Sequence, residues 1–230
     1  MSGETPCDGC IAGCCRETWL LPTGHDVFRI ATTLRLPLAD FLTLRPRDRA
    51  EGDFRIILPS IPGAFHRLEV RKIEEPSAGF ARRCVFLLTV GERGRCGIYQ
   101  VRPAQCSRYP LTFDQPSNEP FNEGRAKLIK RLPYCPPDSW SLAMLDVEGE
   151  RLRHRGHERN VLVHDRVIER WNERIATTNP GAGEQDFLDY LLASYERLSA
   201  SGTALFAAMP GAELVNDRAS IFARVDEILG

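Results

Sequence analysis

All eight cysteines of this chain lie in its first 135 residues, at Cys7, Cys10, Cys14, Cys15, Cys84, Cys96, Cys106 and Cys135. Thiolates bind soft or borderline cations, which selects zinc and iron–sulfur centres over magnesium or calcium. Cys7 and Cys10, two residues apart, form the short chelate loop in which two side chains reach one centre from a tight turn. Cys14 and Cys15 are neighbours, and neighbouring side chains point in different directions. Such a pair suits a polynuclear centre, two centres, or one ligand beside a free thiol. Eight cysteines also make two complete sets of four, the number commonly used by both zinc and 4Fe–4S sites. How the eight divide is left open by spacing alone. For Cys84, followed by Val85 and Phe86, simple burial in a core strand is the alternative.

The elements that must carry these thiols can be read in outline. Residues 1–22 are irregular, with Gly9 and Gly13 supplying backbone freedom to wrap a centre. Thr23 is a good N-cap, with Asp26 three residues on, and Val27, Ile30, Ala31 and Leu34 give the apolar stripe of a helix over roughly 24–35. Pro37 ends it, and residues 38–44 read as a second short helix. Phe54–Leu58 and His66–Val70 read as strands. Cys84–Leu88 and Gly97–Tyr99 are expected to pair as a hairpin across Gly91–Gly94, bringing Cys84 and Cys96 together. Arg102-Pro103 starts a helical turn carrying Cys106, and Pro110 ends it. Residues 125–132 fit either strand or helix. Beyond 140, helices are expected over Leu142–Arg153, Asn160–Thr177, Gln185–Leu198 and Ile221–Leu229, with Asn179–Gly183 as a linker. The fold class is α+β: a cysteine-bearing domain over 1–140 with short antiparallel strands, then a helical C-terminal region over 141–230.

The chain has 230 residues, 43% hydrophobic, enough for a full core without covalent staples. Its formal net charge of −1 gives no global basic field for nucleic acid or an anionic membrane, and its aromatics do not interleave with a basic patch. The N-terminus shows no secretory leader and no window approaches a spanning helix, so a soluble, cytoplasmic protein is expected. In a reducing compartment cysteines serve as ligands or catalytic thiols more than as disulfides.

The set Cys7-x2-Cys10-x3-Cys14-Cys15, Cys84-Val-Phe-Leu, Cys96-Gly-Ile-Tyr, Arg102-Pro103-x2-Cys106-x2-Tyr109-Pro110 and Cys135-Pro136 resembles the CxxCxxCC family, the YkgJ-type cysteine cluster that chelates zinc or iron. The resemblance covers about residues 7–137, with three residues rather than two between Cys10 and the cysteine pair. It implies an intracellular metal binder of iron–sulfur or zinc type. The chain is also similar, through Cys14-Cys15 and Trp19, to the cysteine-rich part of flagellin lysine methylases. No Gly-rich nucleotide loop follows a strand to support an S-adenosylmethionine site.

Within the motif, Arg102 and Tyr109 flank Cys106 and are the expected cofactor-binding residues beside the thiolates, Arg102 by offsetting their charge. A buried salt bridge is the alternative for Arg102. His154 and His157 are three apart and share a helix face, but Arg151, Arg153, Arg155 and Arg159 around them predict a solvated face. Asp26 is expected to cap its helix, or else to orient a ligand. No Ser/His/Asp arrangement, paired-carboxylate motif or phosphate loop is recognisable.

The leading expectation is a cytoplasmic protein holding a 4Fe–4S iron–sulfur centre, used in electron transfer or in support of a redox or methyl-transfer reaction on a protein or small-molecule partner. The alternatives are a zinc-stabilised module whose helical half binds a partner, and an S-adenosylmethionine-dependent protein-lysine methyltransferase.

Overall fold

A computed structural model of the protein describes residues 11–47, 54–75, 80–91, 93–113, 126–128, 141, 143, 145–201 and 217–230. It has short antiparallel strands in the N-terminal half and helices in the C-terminal half, an α+β fold. Among the described residues no helix is long and apolar enough to cross a membrane.

Helix α1 (Gly13–Glu17) carries Cys14 and Cys15, and α2 (Gly24–Leu34) follows. The start of α2 is as its sequence dictates. The Thr23 hydroxyl accepts from the Asp26 N–H at 3.3 Å, and the Asp26 carboxylate accepts from the Thr23 N–H at 3.0 Å, a capping box that satisfies two otherwise orphaned donors. After it, α3 is a single turn (Leu38–Phe41), and Leu42–Arg47 is strand β1, not the rest of a helix. The reason is non-local. Leu42 and Leu44 pair with Val70 and Leu68 of β3 (Phe65–Val70), and all four point into the core. With β2 (Ile56–Ile57) these form a three-stranded sheet in the order β1-β3-β2.

Three two-stranded ribbons follow: β4 (Lys72–Glu74) with β5 (Arg82–Cys84), β6 (Leu87–Val90) with β7 (Arg93–Cys96), and β8 (Leu111–Phe113) with β9 (Ala126–Leu128). The hairpin expected across Gly91–Gly94 exists, but its strands are shifted from those read in the sequence. Cys84 belongs to the preceding ribbon, where it pairs with Lys72, and Leu87 is the residue opposite Cys96. Val85 and Phe86 make a turn between the ribbons, and the Phe86 carbonyl accepts from the Gly97 N–H at 2.8 Å. Gly97 therefore closes the turn instead of continuing a strand.

Helix α4 (Ala104–Arg108) carries Cys106. The C-terminal half comprises α5 (Val147–Arg170), which runs on through a π-helical turn (Trp171–Ile175) into α6 (Ala176–Thr178), then α7 (Glu184–Ala200) and α8 (Arg218–Leu229). The two helices expected over 142–177 are thus one. Ion pairs Glu148–Arg151 and Glu150–Arg153, three residues apart, support the charged first turns where apolar periodicity is weak.

The main core draws on both halves. Val27, Ile30, Phe41, Leu42 and Leu68 meet Val163, Val167, Ile168, Trp171, Phe187 and Leu191. Trp171 is 1% exposed, sits edge-on to Phe187 at 5.3 Å, and donates its indole N–H to the Ile57 carbonyl at 2.7 Å. Its helix stripe is therefore core, as the periodicity implies. Gly24 lets α2 approach α7 closely, since a Cβ there would lie 2.1 Å from the Tyr195 ring. A second, smaller core of Ala12, Leu20, Val70, Cys84 and Leu87 lies under the cysteine-bearing elements, with Cys15 and Cys106 packed against it.

Candidate metal centre

Five of the eight cysteines fall in described elements: Cys14 and Cys15 in α1, Cys84 at the end of β5, Cys96 at the end of β7 and Cys106 in α4. Cys7, Cys10 and Cys135 lie outside the described residues, so the chelate loop expected at Cys7–Cys10 does too.

Each cysteine-bearing element is too short to hold itself in place, and each is fixed by a specific contact. The chain enters α1 through Ala12, whose φ of 57° is the left-handed conformation. It is Ala12, not Gly13, that takes the unusual backbone here. A Cβ on Gly94 would lie 2.5 Å from the Ala12 Cβ and 2.9 Å from Leu87, so only glycine lets α1 approach the β6–β7 hairpin this closely. Arg16, 5% exposed, ties α1 to the β4–β5 ribbon: its Nε donates to Glu75 at 2.8 Å, and it also donates to the Ile11 carbonyl. Lys72 Nζ donates to the Arg16 carbonyl at 2.5 Å. Cys14 and Cys15 are thereby set against the ribbon that ends in Cys84.

Asp26 does two jobs. One oxygen caps α2, and the other accepts from the Ala104 N–H at 3.0 Å, capping the first turn of α4. The helix cap read in the sequence is present, and the same carboxylate, 2% exposed, also fixes the turn that carries Cys106. Gln105, beside Cys106, accepts from the Leu21 N–H at 3.0 Å and so joins α4 to the segment leaving α1.

The thiols share one electrostatic neighbourhood. The charge of Cys106 is felt by Cys15, and that of Cys14 by Cys15, Cys84, Cys96 and Cys106. Cys84 and Cys96 interact as well, the proximity expected of them, although they are not hairpin partners. Cys14 is pulled from an ordinary 9.0 down to about 7, first by a hydrogen bond from the Cys15 thiol and with help from the Arg102 charge. Cys15, the donor, is pushed up, and burial pushes up Cys84, Cys96 and Cys106. Burial opposes the bare thiolate in such a setting, whereas coordination to a cation restores it. Among the described residues no three His, Cys, Asp or Glu side chains stand close enough to hold one bare ion.

Arg102 is half-buried, with its guanidinium 4.1 Å from the centre of the Tyr99 ring, and its charge favours the thiolate at both Cys14 and Cys96. Among the described residues no carboxylate pairs with it. Tyr109 is half-buried at the end of α4.

The histidines expected on a solvated face are not on one. His154 and His157 are half-buried against the α4 side of the molecule. Arg108 contacts His154 Nδ1, and Phe113 stacks on the same ring at 5.2 Å. Arg159 is 7% exposed. Local arginine content pointed outward, while packing of α4 on α5 turned this face inward. The contacts missed from sequence are those of Arg16 with Glu75 and of Gln105 with Leu21, 59 and 84 residues apart, for which no local pattern exists. The second role of Asp26 was half-visible, since its capping box is a local signal.

No curated protein and no solved structure matches the chain. A family model does: residues 6–136, more than half the sequence, match the CxxCxxCC model, described as a zinc- or iron-chelating domain. The span takes in all eight cysteines and the described elements that gather five of them, and on it the chain belongs to the CxxCxxCC family.

Proposed function

We propose that this metal-chelating domain holds an iron–sulfur centre, of 4Fe–4S composition, that serves electron transfer in a reducing compartment. The observation carrying this is the convergence of five thiols from α1, β5, β7 and α4 in one electrostatic neighbourhood. A tetrahedral zinc ion takes four close donors, whereas among the described residues no three stand close enough for one bare ion, a spread that suits a larger centre better. The adjacent Cys14–Cys15 pair adds to the argument, because neighbouring residues reach different corners of a large centre more readily than one small ion. The donors are thiols, which suits iron–sulfur ligation.

Cys14, Cys15, Cys84, Cys96 and Cys106 would supply ligands, with Cys7, Cys10 and Cys135 as the remaining pool. A bound 4Fe–4S centre supplies one-electron chemistry. The chain's own residues tune it: Arg102 offsets thiolate charge at Cys14 and Cys96, which raises the potential at which an electron is accepted. Asp26 and Gln105 hold Cys106 in register with the others.

The test is iron, acid-labile sulfide and zinc content, with a visible spectrum, on protein purified without oxygen. Brown protein with about four irons and four sulfides per chain is expected. Cys96→Ser and Cys106→Ser should each lose most of that absorption and at least half of the iron. Colourless protein with stoichiometric zinc and no sulfide overturns the reading and leaves a zinc-stabilised module.

A further inference from the structure

A groove of about 510 Å³ is lined by Trp19, Leu21, Arg45, Pro46, Arg47 and Arg67, with no cysteine in its wall. Its size is that of a small-molecule site, and its charge is unusual for a chain of net charge −1. Arg45 of β1 and Arg67 of β3 are direct cross-strand partners, and like charges placed opposite each other destabilise a sheet. One carboxylate serves both. The buried Glu69 accepts from Arg67 Nε at 2.9 Å and stands 3.8 Å from Arg45 Nη1, and its Oε2 holds no hydrogen bond among the described residues. Arg47 is exposed and has no ion-pair partner among the described residues. Three guanidinium groups against one carboxylate leave the groove with a local excess of positive charge.

The arginines are also held ready. Arg45 lies 3.8 Å over the Trp19 ring. Stacking uses the face of a guanidinium and leaves its in-plane N–H fork free for bidentate contacts with an oxyanion. Arg67 is oriented by Glu69. Leu21, Pro46 and the part-exposed Trp19 give the groove an apolar wall beside its cationic one.

We infer that this groove binds a phosphoryl group, gripped by Arg45, Arg47 and Arg67, with any organic part of the ligand against Trp19, Leu21 and Pro46. The groove adjoins the metal-bearing helix, since Trp19 follows α1 directly, but the inference does not depend on which metal is bound.

Calorimetric titration of the metal-loaded protein with ADP, ribose 5-phosphate, pyrophosphate and adenosine tests it. Binding of at least one phosphate-bearing probe is expected, weakening several-fold between low and physiological salt, with adenosine silent. Tighter binding of ADP or ribose 5-phosphate than of pyrophosphate assigns the groove to an organic phosphate, and equal affinities assign it to the inorganic anion. Arg47→Ala, at an exposed residue with no described ion pair, should leave the melting temperature and metal content unchanged while weakening binding about tenfold or more. Trp19→Ala should weaken ADP more than pyrophosphate. Absence of binding by every phosphate at millimolar concentration, or binding indifferent to Arg47→Ala, overturns the inference.

Discussion

Asp26 is the residue on which the position of Cys106 turns. Its carboxylate satisfies backbone N–H groups at the starts of α2 and α4 from a site sealed from water. Removing it strands two buried donors as well as a cap, which together cost about 2–4 kcal/mol. Asp26→Ala is therefore expected to lower the melting temperature by roughly 5–15 °C and to reduce the metal held per chain, both measurable on one preparation. Asp26→Asn keeps an acceptor oxygen and should fall between the two. His164 makes a second prediction at this scale. Its ring is 1% exposed, lies 5.0 Å from Phe54, and burial holds its pKa down to about 3 against an ordinary 6.5. The unfolded chain takes up this proton first as pH falls, so the stability from a neutral His164 is complete above about 6.5 and drains away towards about 3. The slope is at most about 1.4 kcal/mol per pH unit. His164→Gln should flatten the decline in melting temperature between pH 7 and 5 relative to wild type, and an unchanged slope would exclude His164 as its source.

At the scale of elements, the cysteine-bearing pieces are turns and ribbons whose placement depends on close approach. Gly94 is the tightest case. A methyl group there meets Ala12 at 2.5 Å and Leu87 at 2.9 Å. Gly94→Ala should cost about 1–3 kcal/mol by overpacking and loosen α1 from the hairpin, seen as faster hydrogen exchange in α1 and β7 with little change in α7. This is also the scale at which sequence reading succeeded and failed most instructively. Helix α2 was legible because its cap and its stripe are both local. The turn around Cys106 was legible because Pro103 and Pro110 bracket it. The strand partner of Cys84 was not, because a three-residue strand at Lys72–Glu74 carries too little alternation to register. Nor was the burial of His154, which depends on Arg108, 46 residues away. That Cys14, Cys84, Cys96 and Cys106 could do metal chemistry was readable from residue type, but the elements that carry them are placed by long-range contacts that leave no local pattern.

For the molecule as a whole, the described residues form two principal cores of unequal size and a small cluster around Leu111 and Val147. The larger joins α2, the three-stranded sheet and the C-terminal helices. The smaller, centred on Val70, Cys84 and Leu87, contains a cysteine and has two more packed on it. The buried members of the large core include no cysteine, and Cys96 packs only on its edge. Metal chelation with EDTA or oxidation of the thiols is therefore expected to leave far-UV circular dichroism and the burial of Trp171 largely intact, while hydrogen exchange speeds up in α1, β5, β7 and α4. Cooperative loss of all helical signal on chelation would contradict this division.

That division bears on how such a protein comes to be loaded. A chain whose principal core buries no cysteine is expected to fold and persist in an empty form. Its receiving segments would then be already tethered at one end, to Asp26 and to Arg16, and loose at the thiols. Maturation would then be a step separable from folding, set by the supply of metal instead of by the lifetime of an unfolded chain.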